Sequence, residues 1–196
     1  MIFTEAIKLK DGFLHNLEYH QTRVNQTTTH FYGDANINLM LLQDTIPDNA
    51  RKGLFKCRVV YSNKIHNIEY VPYIFKKIRN VGIVADNTID YSHKFANRDQ
   101  LNTLLTDSGF DDIIIIKNGL VTDASASNLI FISDEALVTP IDFLLPGTKR
   151  QYLLDKGIIK EKRISLEDIH NYHRIAFINA MIDIEDSISI SVNELQ

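Results

Sequence analysis

Residues 113–132 read Ile113-Ile114-Ile115-Ile116-Lys117-Asn118-Gly119-Leu120-Val121-Thr122-Asp123-Ala124-Ser125-Ala126-Ser127-Asn128-Leu129-Ile130-Phe131-Ile132. Four consecutive isoleucines without polar alternation predict a strand buried on both faces. Asn118-Gly119 predicts a tight turn of the primed type, because both residues tolerate positive φ. Leu120-Val121-Thr122 then returns, and Leu129-Ile130-Phe131-Ile132 predicts another strand. Asp123 follows the returning strand among small residues, which would let a flat ligand approach the backbone. This is the strongest strand signal in the chain.

Downstream, Pro146-Gly147 precedes a predicted helix from about Thr148 to Lys156, closed by Gly157. Ser165 caps a further short helix with Glu167 and Asp168 in its first turn, and Arg174 to Ile178 reads as a strand. Upstream, Asn97 or Asp99 opens a helix through Leu101, Leu104 and Leu105 that ends at Gly109. Lys76-Lys77-Ile78-Arg79 reads as a solvated strand edge, where lysines discourage edge pairing. In the first part of the chain, Ile2 to Lys8 is extended and Asp11-Gly12 is its turn. Asn16 is the cap of a helix through Leu17, Val24 and Phe31 that ends at Gly33, and a short helix covers Ile37 to Gln43 before Pro47. Phe55 to Tyr61 and Ile68 to Val71 form a hairpin about Ser62-Asn63-Lys64. The order predicts an α+β fold of two lobes, a small one over residues 1–80 and a larger one over 81–196, joined near residues 80–92.

The chain has 196 residues, of which 44% are hydrophobic and 23% charged. These are globular values that exclude disorder. Lys and Arg number 21 against 25 Asp and Glu, a net charge of −4. That argues against a nucleic-acid partner, which calls for a basic surplus. The single cysteine, Cys57, excludes an internal disulfide and points to a reducing compartment; lying in a predicted strand, it reads as a core hydrophobe. No run of about 18 apolar residues exists and no charged n-region opens the chain, so the expectation is a cytoplasmic protein without a membrane partner.

The seven histidines form no His-Glu-x-x-His pattern, and His170 with His173 offers too few ligands for zinc, so no metal is expected. Phosphate-loop, nucleophile-elbow and dinucleotide signatures are absent. Four local features remain. Leu145-Pro146-Gly147-Thr148-Lys149-Arg150 places a glycine turn before a helix, whose free N–H groups and positive dipole suit a phosphate. His20 and Arg23 stand three apart on the first helix, and an arginine suits bidentate phosphate contact. Asp123 offers a carboxylate beside a buried strand. Lys94 offers an amine within Ser92-His93-Lys94-Phe95-Ala96-Asn97-Arg98. Singly, each is matched by an ordinary surface or capping role. Together they supply a lysine for a Schiff base, a carboxylate for a pyridinium nitrogen and an anchor for a phosphate.

The chain resembles the fold type IV pyridoxal-phosphate enzymes, which include branched-chain and D-amino-acid aminotransferases and aminodeoxychorismate lyases. The resemblance runs from Phe3 to about Met181. Phe3-Thr4-Glu5-Ala6-Ile7 is similar to the family's opening strand, and His20-Gln21-Thr22-Arg23 to its His-x-x-Arg, whose arginine holds the phosphate. Lys94-Phe95-Ala96-Asn97-Arg98 resembles the Lys-x-x-Asn-Arg of the lyase branch, whose lysine carries the cofactor. Val121-Thr122-Asp123 through Asn128-Leu129 resembles the segment whose acid meets the pyridine nitrogen. Leu145 to Arg150 is similar to Leu-Pro-Gly-Ile-Thr-Arg, where backbone N–H groups grip phosphate, and Asn179-Ala180-Met181 to an Asn-Ala-Leu near the substrate.

The resemblance implies a two-lobed fold type IV architecture, truncated at the N-terminus, working as a homodimer on a small-molecule amino substrate. It implies pyridoxal 5'-phosphate bound by Arg23, Lys94, Asp123, Asn128, Gly147, Thr148 and Lys149, with Lys94 catalytic and Asn179 at the substrate. Three departures stand out. The family's acid is Glu, one methylene longer than Asp123; the usual strand and glycine bend before the opening segment are absent; and the hairpin after Tyr61 lacks a Gly- and Arg-rich stretch. Lys94-x-x-Asn97-Arg98, Asn179-Ala180 and the compact chain favour an aminodeoxychorismate lyase, which releases pyruvate to leave 4-aminobenzoate. The alternatives are a D-amino-acid or branched-chain aminotransferase and, more remotely, a non-catalytic cofactor-binding protein. Phe31, Tyr32 and Tyr61 are the expected subunit contacts.

Overall fold

In the computed structural model, residues 1–34 and 36–196 are described. They form two compact units, one of Met1–Phe75 with His93–Asn97 and one of Lys76–Ser92 with Arg98–Gln196. The division expected after residue 80 thus falls after 75, and residues 93–97 return to the first unit. The expected join near 80–92 contains a strand of the second unit.

In the first unit, β1 (Phe3–Lys10), β2 (Phe13–Leu14), α1 (Leu17–Tyr32), β3 (Leu54–Tyr61) and β4 (Ile65–Pro72) follow in order. The strands make an antiparallel sheet in the order β2-β1-β3-β4. Asp11 and Gly12 turn between β1 and β2 with φ of 48° and 85°. Phe3, Glu5, Ile7 and Leu9 alternate along β1 and are all buried, as one sheet face requires. Phe3 and Ile7 pack with Val24 of α1, Leu39, Leu42 and the β3 residues Cys57, Val59 and Tyr61. Burial pushes the Cys57 thiol up to about 11, which suits a packed core residue.

Several local expectations change. Asn16 starts α1 through its own left-handed backbone (φ 52°) and makes no side-chain cap bond. The segment expected as a helix over 37–43 is a 3-10 helix over Leu39–Thr45. Only Leu39 and Leu42 of it are buried, a spacing of three that matches the 3-10 period. Lys76 to Arg79 form no strand. The Asp111 carboxylate accepts the amides of Arg79 and Asn80, and Lys76 Nζ donates to the Asp111 carbonyl. Tyr61 is fully buried, so it is no subunit contact.

The second unit contains β5 (Val81–Ala85), α2 (Asp99–Ser108), β6 (Asp112–Lys117), β7 (Leu120–Ala124), β8 (Asn128–Ile132), β9 (Leu137–Pro140), α3 (Thr148–Asp155), β10 (Lys160–Lys162), β11 (Arg174–Ile178) and β12 (Ser189–Ser191). A three-stranded sheet runs β5-β6-β7, with β5 and β6 parallel. A five-stranded sheet runs β10-β9-β8-β11-β12. Ile114 and Ile116 of β6 meet Leu129 and Phe131 of β8 and Ile175 and Phe177 of β11 in one core. The alternate residues Ile130, Ala176 and Ile178 face the other way, against Leu153 of α3. The five-stranded sheet is thereby covered on both faces. All four isoleucines of β6 are buried, and Asn118-Gly119 turn at φ 53° and 78°.

Candidate active site

In the first unit, the alternation of β1 puts Glu5 on the apolar face, where a lone carboxylate would be costly. Two α1 residues, three apart on one helical face, reach it. Arg23 Nε donates to Glu5 Oε1 at 2.9 Å and Nη2 to Oε2 at 2.5 Å. His20 Nδ1 lies 2.6 Å from Oε2; since a carboxylate only accepts, the imidazole donates. Burial alone would raise the Glu5 pKa, but the Arg23 charge and the His20 hydrogen bond outweigh it and bring it to about 2. Burial lowers that of His20, against the pull of Glu5, so the imidazole is neutral. Arg23 therefore turns its Nε edge to a protein carboxylate.

Lys94 lies in the segment that runs beside the start of β1. Its carbonyl accepts from Thr4 N at 2.9 Å, and Phe95 bridges antiparallel to Phe3. The Lys94 charge is among those that lower the His20 pKa, so the amine and the Glu5–His20–Arg23 cluster share one electrostatic neighbourhood of this unit.

In the second unit, Asp123 sits near the end of β7 and Asn128 opens β8. Asn128 Nδ2 donates to Asp123 Oδ1 at 2.7 Å and to the Leu145 carbonyl at 3.0 Å. The amides of Leu144 and Leu145 both donate to Asp123 Oδ2 at 2.9 Å. Burial pushes the Asp123 carboxyl up to about 6, against these bonds and the charge of Arg150. Oδ1, with one bond, keeps acceptor capacity.

Gly147 is the N-cap of α3 in extended backbone. Its φ would admit any residue, but a Cβ there would meet Asn128. The first turn of α3 contains no acidic residue, and Thr148, Lys149 and Arg150 are buried. Such a terminus favours an anion. Lys149 Nζ pairs with Asp183 and lies 5.2 Å from the Tyr152 ring centroid. Arg150 Nη2 donates to the Pro140 carbonyl and to Glu161, while its Nε is buried without a hydrogen-bond partner.

Asn179, expected at the substrate, has its amide engaged by the chain. Nδ2 donates to the Ala126 carbonyl and Ser127 Oγ, and Oδ1 accepts from Met181 N and Ile182 N. Arg23 and Lys94 thus belong to the first unit, and Asp123, Asn128, Gly147, Thr148, Lys149 and Asn179 to the second. Sequence reasoning missed Glu5 as a site residue, although the alternation Phe3, Glu5, Ile7 marks it as a buried carboxylate in need of cations. It also missed the Leu144 and Leu145 amides, which no side-chain pattern marks.

The second unit carries a buried acid, Asp123, bonded to the Leu144 and Leu145 amides shortly before an anion-friendly helix start. The class IV amino-transferase family model matches residues 85–185, and the chain belongs to that family. Its fold is that of the fold type IV pyridoxal-phosphate enzymes. A protein of Haemophilus influenzae with no assigned function is 37% identical over 180 residues, 90% of this chain and 96% of its own. A crystal structure from Haemophilus somnus 129PT, provisionally named a 4-amino-4-deoxychorismate lyase, is 34% identical with a TM-score of 0.85, covering 92% of this chain and 96% of that one. A probable branched-chain-amino-acid aminotransferase of Rickettsia felis is 31% identical over 91 residues, 43% of this chain and 31% of its own. The chain is a pyridoxal-phosphate-dependent enzyme by family. Among the described residues, no helix is long and apolar enough to cross a membrane.

Proposed function

We propose that the protein is a cytoplasmic lyase that converts 4-amino-4-deoxychorismate to 4-aminobenzoate and pyruvate, a step of folate biosynthesis. The single observation that carries this reading is the 34% identity, over nearly the whole of both chains, to the Haemophilus somnus protein. The Lys94-x-x-Asn97-Arg98 motif points the same way.

The residues present fit pyridoxal phosphate. Asp123 offers a buried carboxylate with an acceptor position left on Oδ1, suited to a protonated ring nitrogen. The Gly147, Thr148 and Lys149 amides begin a helix whose first turn has no acidic residue, suited to a phosphate. Arg23 would add charge, and Asn128 would hold Asp123 in place. When bound, the cofactor supplies a conjugated ring that takes up the electron pair released at the substrate α-carbon. Lys94 would hold the cofactor covalently, then, as a free amine, move the proton at that carbon. Asp123 would keep the proton on the ring nitrogen, which preserves the ring as an electron acceptor.

The test is pyruvate release from aminodeoxychorismate by the cofactor-loaded protein, run beside a panel of L- and D-amino acids with a 2-oxo acid acceptor. Pyruvate with stoichiometric 4-aminobenzoate supports the lyase. Amino-group transfer alone supports the second reading, an aminotransferase, which the Rickettsia felis relative favours over part of the chain. A cofactor band unchanged by every substrate would leave only a binding protein.

A further inference from the structure

We propose that Arg98 and Asn179 are positioning residues that set the Asp123 carboxylate by clamping the turn Ser125-Ala126-Ser127; the proposal rests on Asp123 being the acid of the cofactor site. The turn joins β7 to β8, so Asp123 and Asn128 flank it, and the Asn128–Asp123 bond closes across it at 2.7 Å. Any shift of the turn moves the two ends of that bond relative to each other.

Three elements of the second unit grip the turn from outside. From the start of β6, Asp112 Oδ1 accepts from Ser125 N at 3.1 Å. From the N-cap of α2, Arg98 Nη2 donates to the Ser125 carbonyl, and its guanidinium stands 5.7 Å from the Tyr91 ring centroid. From the end of β11, Asn179 Nδ2 donates to the Ala126 carbonyl and Ser127 Oγ at 3.1 and 3.2 Å. Within the turn, Ala124 N donates to the Ser127 carbonyl at 2.8 Å. Asn179 has no donor or acceptor position left over, because Met181 N and Ile182 N occupy its Oδ1. Arg98 leaves its buried Nε without a hydrogen-bond partner while its Nη2 reaches Ser125. Leaving a buried donor unmet is unfavourable, so the Ser125 contact is held against a cost.

The short acid explains why such a clamp matters. An Asp has one fewer rotatable bond than a Glu and cannot search for its partner with its own side chain. Its carboxylate goes where the backbone takes it, and the backbone here is set by the turn.

The test uses Arg98→Ala, Asn179→Ala and the conservative Arg98→Lys, with Arg174→Ala, an exposed β11 residue bonded to Ser189, as control. In the cofactor-free protein, amide exchange at Ala124 and Ser125 should rise about tenfold in both alanine variants. The Asp123 carboxyl, followed by carbon NMR, should titrate higher as its Asn128 bond weakens. Pyridoxal phosphate affinity should fall about tenfold, with Arg98→Lys recovering part of each effect because a lysine still donates. The control should move none of them, and all variants should keep the native amide spectrum elsewhere. Unchanged turn exchange, or a loosened turn with unchanged Asp123 titration, overturns the clamp. Failure of the underlying reading looks different: Asp123→Ala would then bind the cofactor as the parent does, whatever the turn amides report.

Discussion

A side chain at position 147 would collide with Asn128: a Cβ built there falls 1.7 Å from Asn128 Oδ1. The glycine exists for close approach, since its φ of −70° is open to any residue. The displaced amide cannot swing away cheaply, because it holds both Asp123 and the Leu145 carbonyl. Gly147→Ala should therefore destabilise the chain by about 1–3 kcal/mol in urea unfolding. It should also weaken cofactor binding more than a surface substitution of equal stability cost. An alanine variant with parental stability and affinity would show that Asn128 has room to move.

Glu5 makes a stability statement that can be read by acid titration. Its carboxyl is lowered from an ordinary 4.5 to about 2 in the folded chain. The stability it contributes is complete above pH 4.5 and is lost as the pH falls towards 2, on the order of 3 kcal/mol in all. His20, also lowered by burial, adds a loss of the same sign once the pH falls below its ordinary value. Arg23→Ala leaves the carboxylate buried without its strongest partner and should cost about 3–5 kcal/mol. It should weaken pyridoxal phosphate binding as well, if the guanidinium reaches the phosphate. A variant that is destabilised yet binds the cofactor unchanged would assign Arg23 to Glu5 alone.

Asp123 behaves in the opposite sense. Its carboxyl is raised from 3.8 to about 6, so its contribution is complete below pH 3.8 and is lost as the pH rises through 6. In the cofactor-free chain this amounts to on the order of 3 kcal/mol. Comparing parent and Asp123→Asn by urea unfolding at pH 4 and pH 7 isolates the effect. The parent should lose more stability over that interval than the variant. Parallel pH profiles would mean that the carboxylate is already well compensated by Asn128, Leu144 and Leu145.

The residues that were legible from sequence are those whose signal is local. Ile113 to Ile116 announce a doubly buried strand by composition, Asn118-Gly119 a turn by positive φ, and Gly33, Gly109 and Gly157 the ends of helices. Arg174 to Ile178 is a strand with the limits expected. What escaped depends on partners far along the chain. Strands β9, β10 and β12 have three or four residues, too few to show a period, and exist because β8, β9 and β11 respectively offer edges to pair with. Arg23 reads from sequence as an anion anchor, and its pairing with Glu5, eighteen positions away, shows only when the sheet forms. Asn179 reads from sequence as a substrate contact, and its bond to the Ala126 carbonyl, 53 positions earlier, has no local signal. In each case the residue type was informative and its partner was not.

Lys94 should be the point of covalent attachment. Borohydride reduction of the cofactor-loaded protein should add the cofactor mass to the Lys94 peptide and to no other. Lys149 is the natural competitor near the phosphate-type helix start, but its Nζ is already paired with Asp183. Lys94→Ala should abolish turnover while weak, reversible binding through the phosphate contacts persists. Mass on the Lys149 or Lys156 peptide would overturn the assignment.

The last prediction is a homodimer. A cofactor joined through a lysine needs water kept out, because closure is what protects such intermediates from side reactions, and a twofold partner is the commonest way for a protein to complete a wall. The expected contacts divide in the structure. Tyr61 is buried, Phe31 packs on Phe3, His30 and His93, and Tyr32 stays 37% exposed with its hydroxyl on the Met1 carbonyl. The first unit adds better candidates. Leu41 is 62% exposed on its 3-10 helix beside Met40, and Phe13 is 69% exposed at its strand turn, a scale of apolar exposure that marks association surfaces when residues cluster. Sedimentation at micromolar concentration should give twice the 22.5 kDa chain mass. Leu41→Glu should shift the protein towards monomer and lower its cofactor affinity, because a charge in an apolar contact is costly. A parent protein that sediments as a clean monomer and still turns over substrate would show that one chain closes its own site.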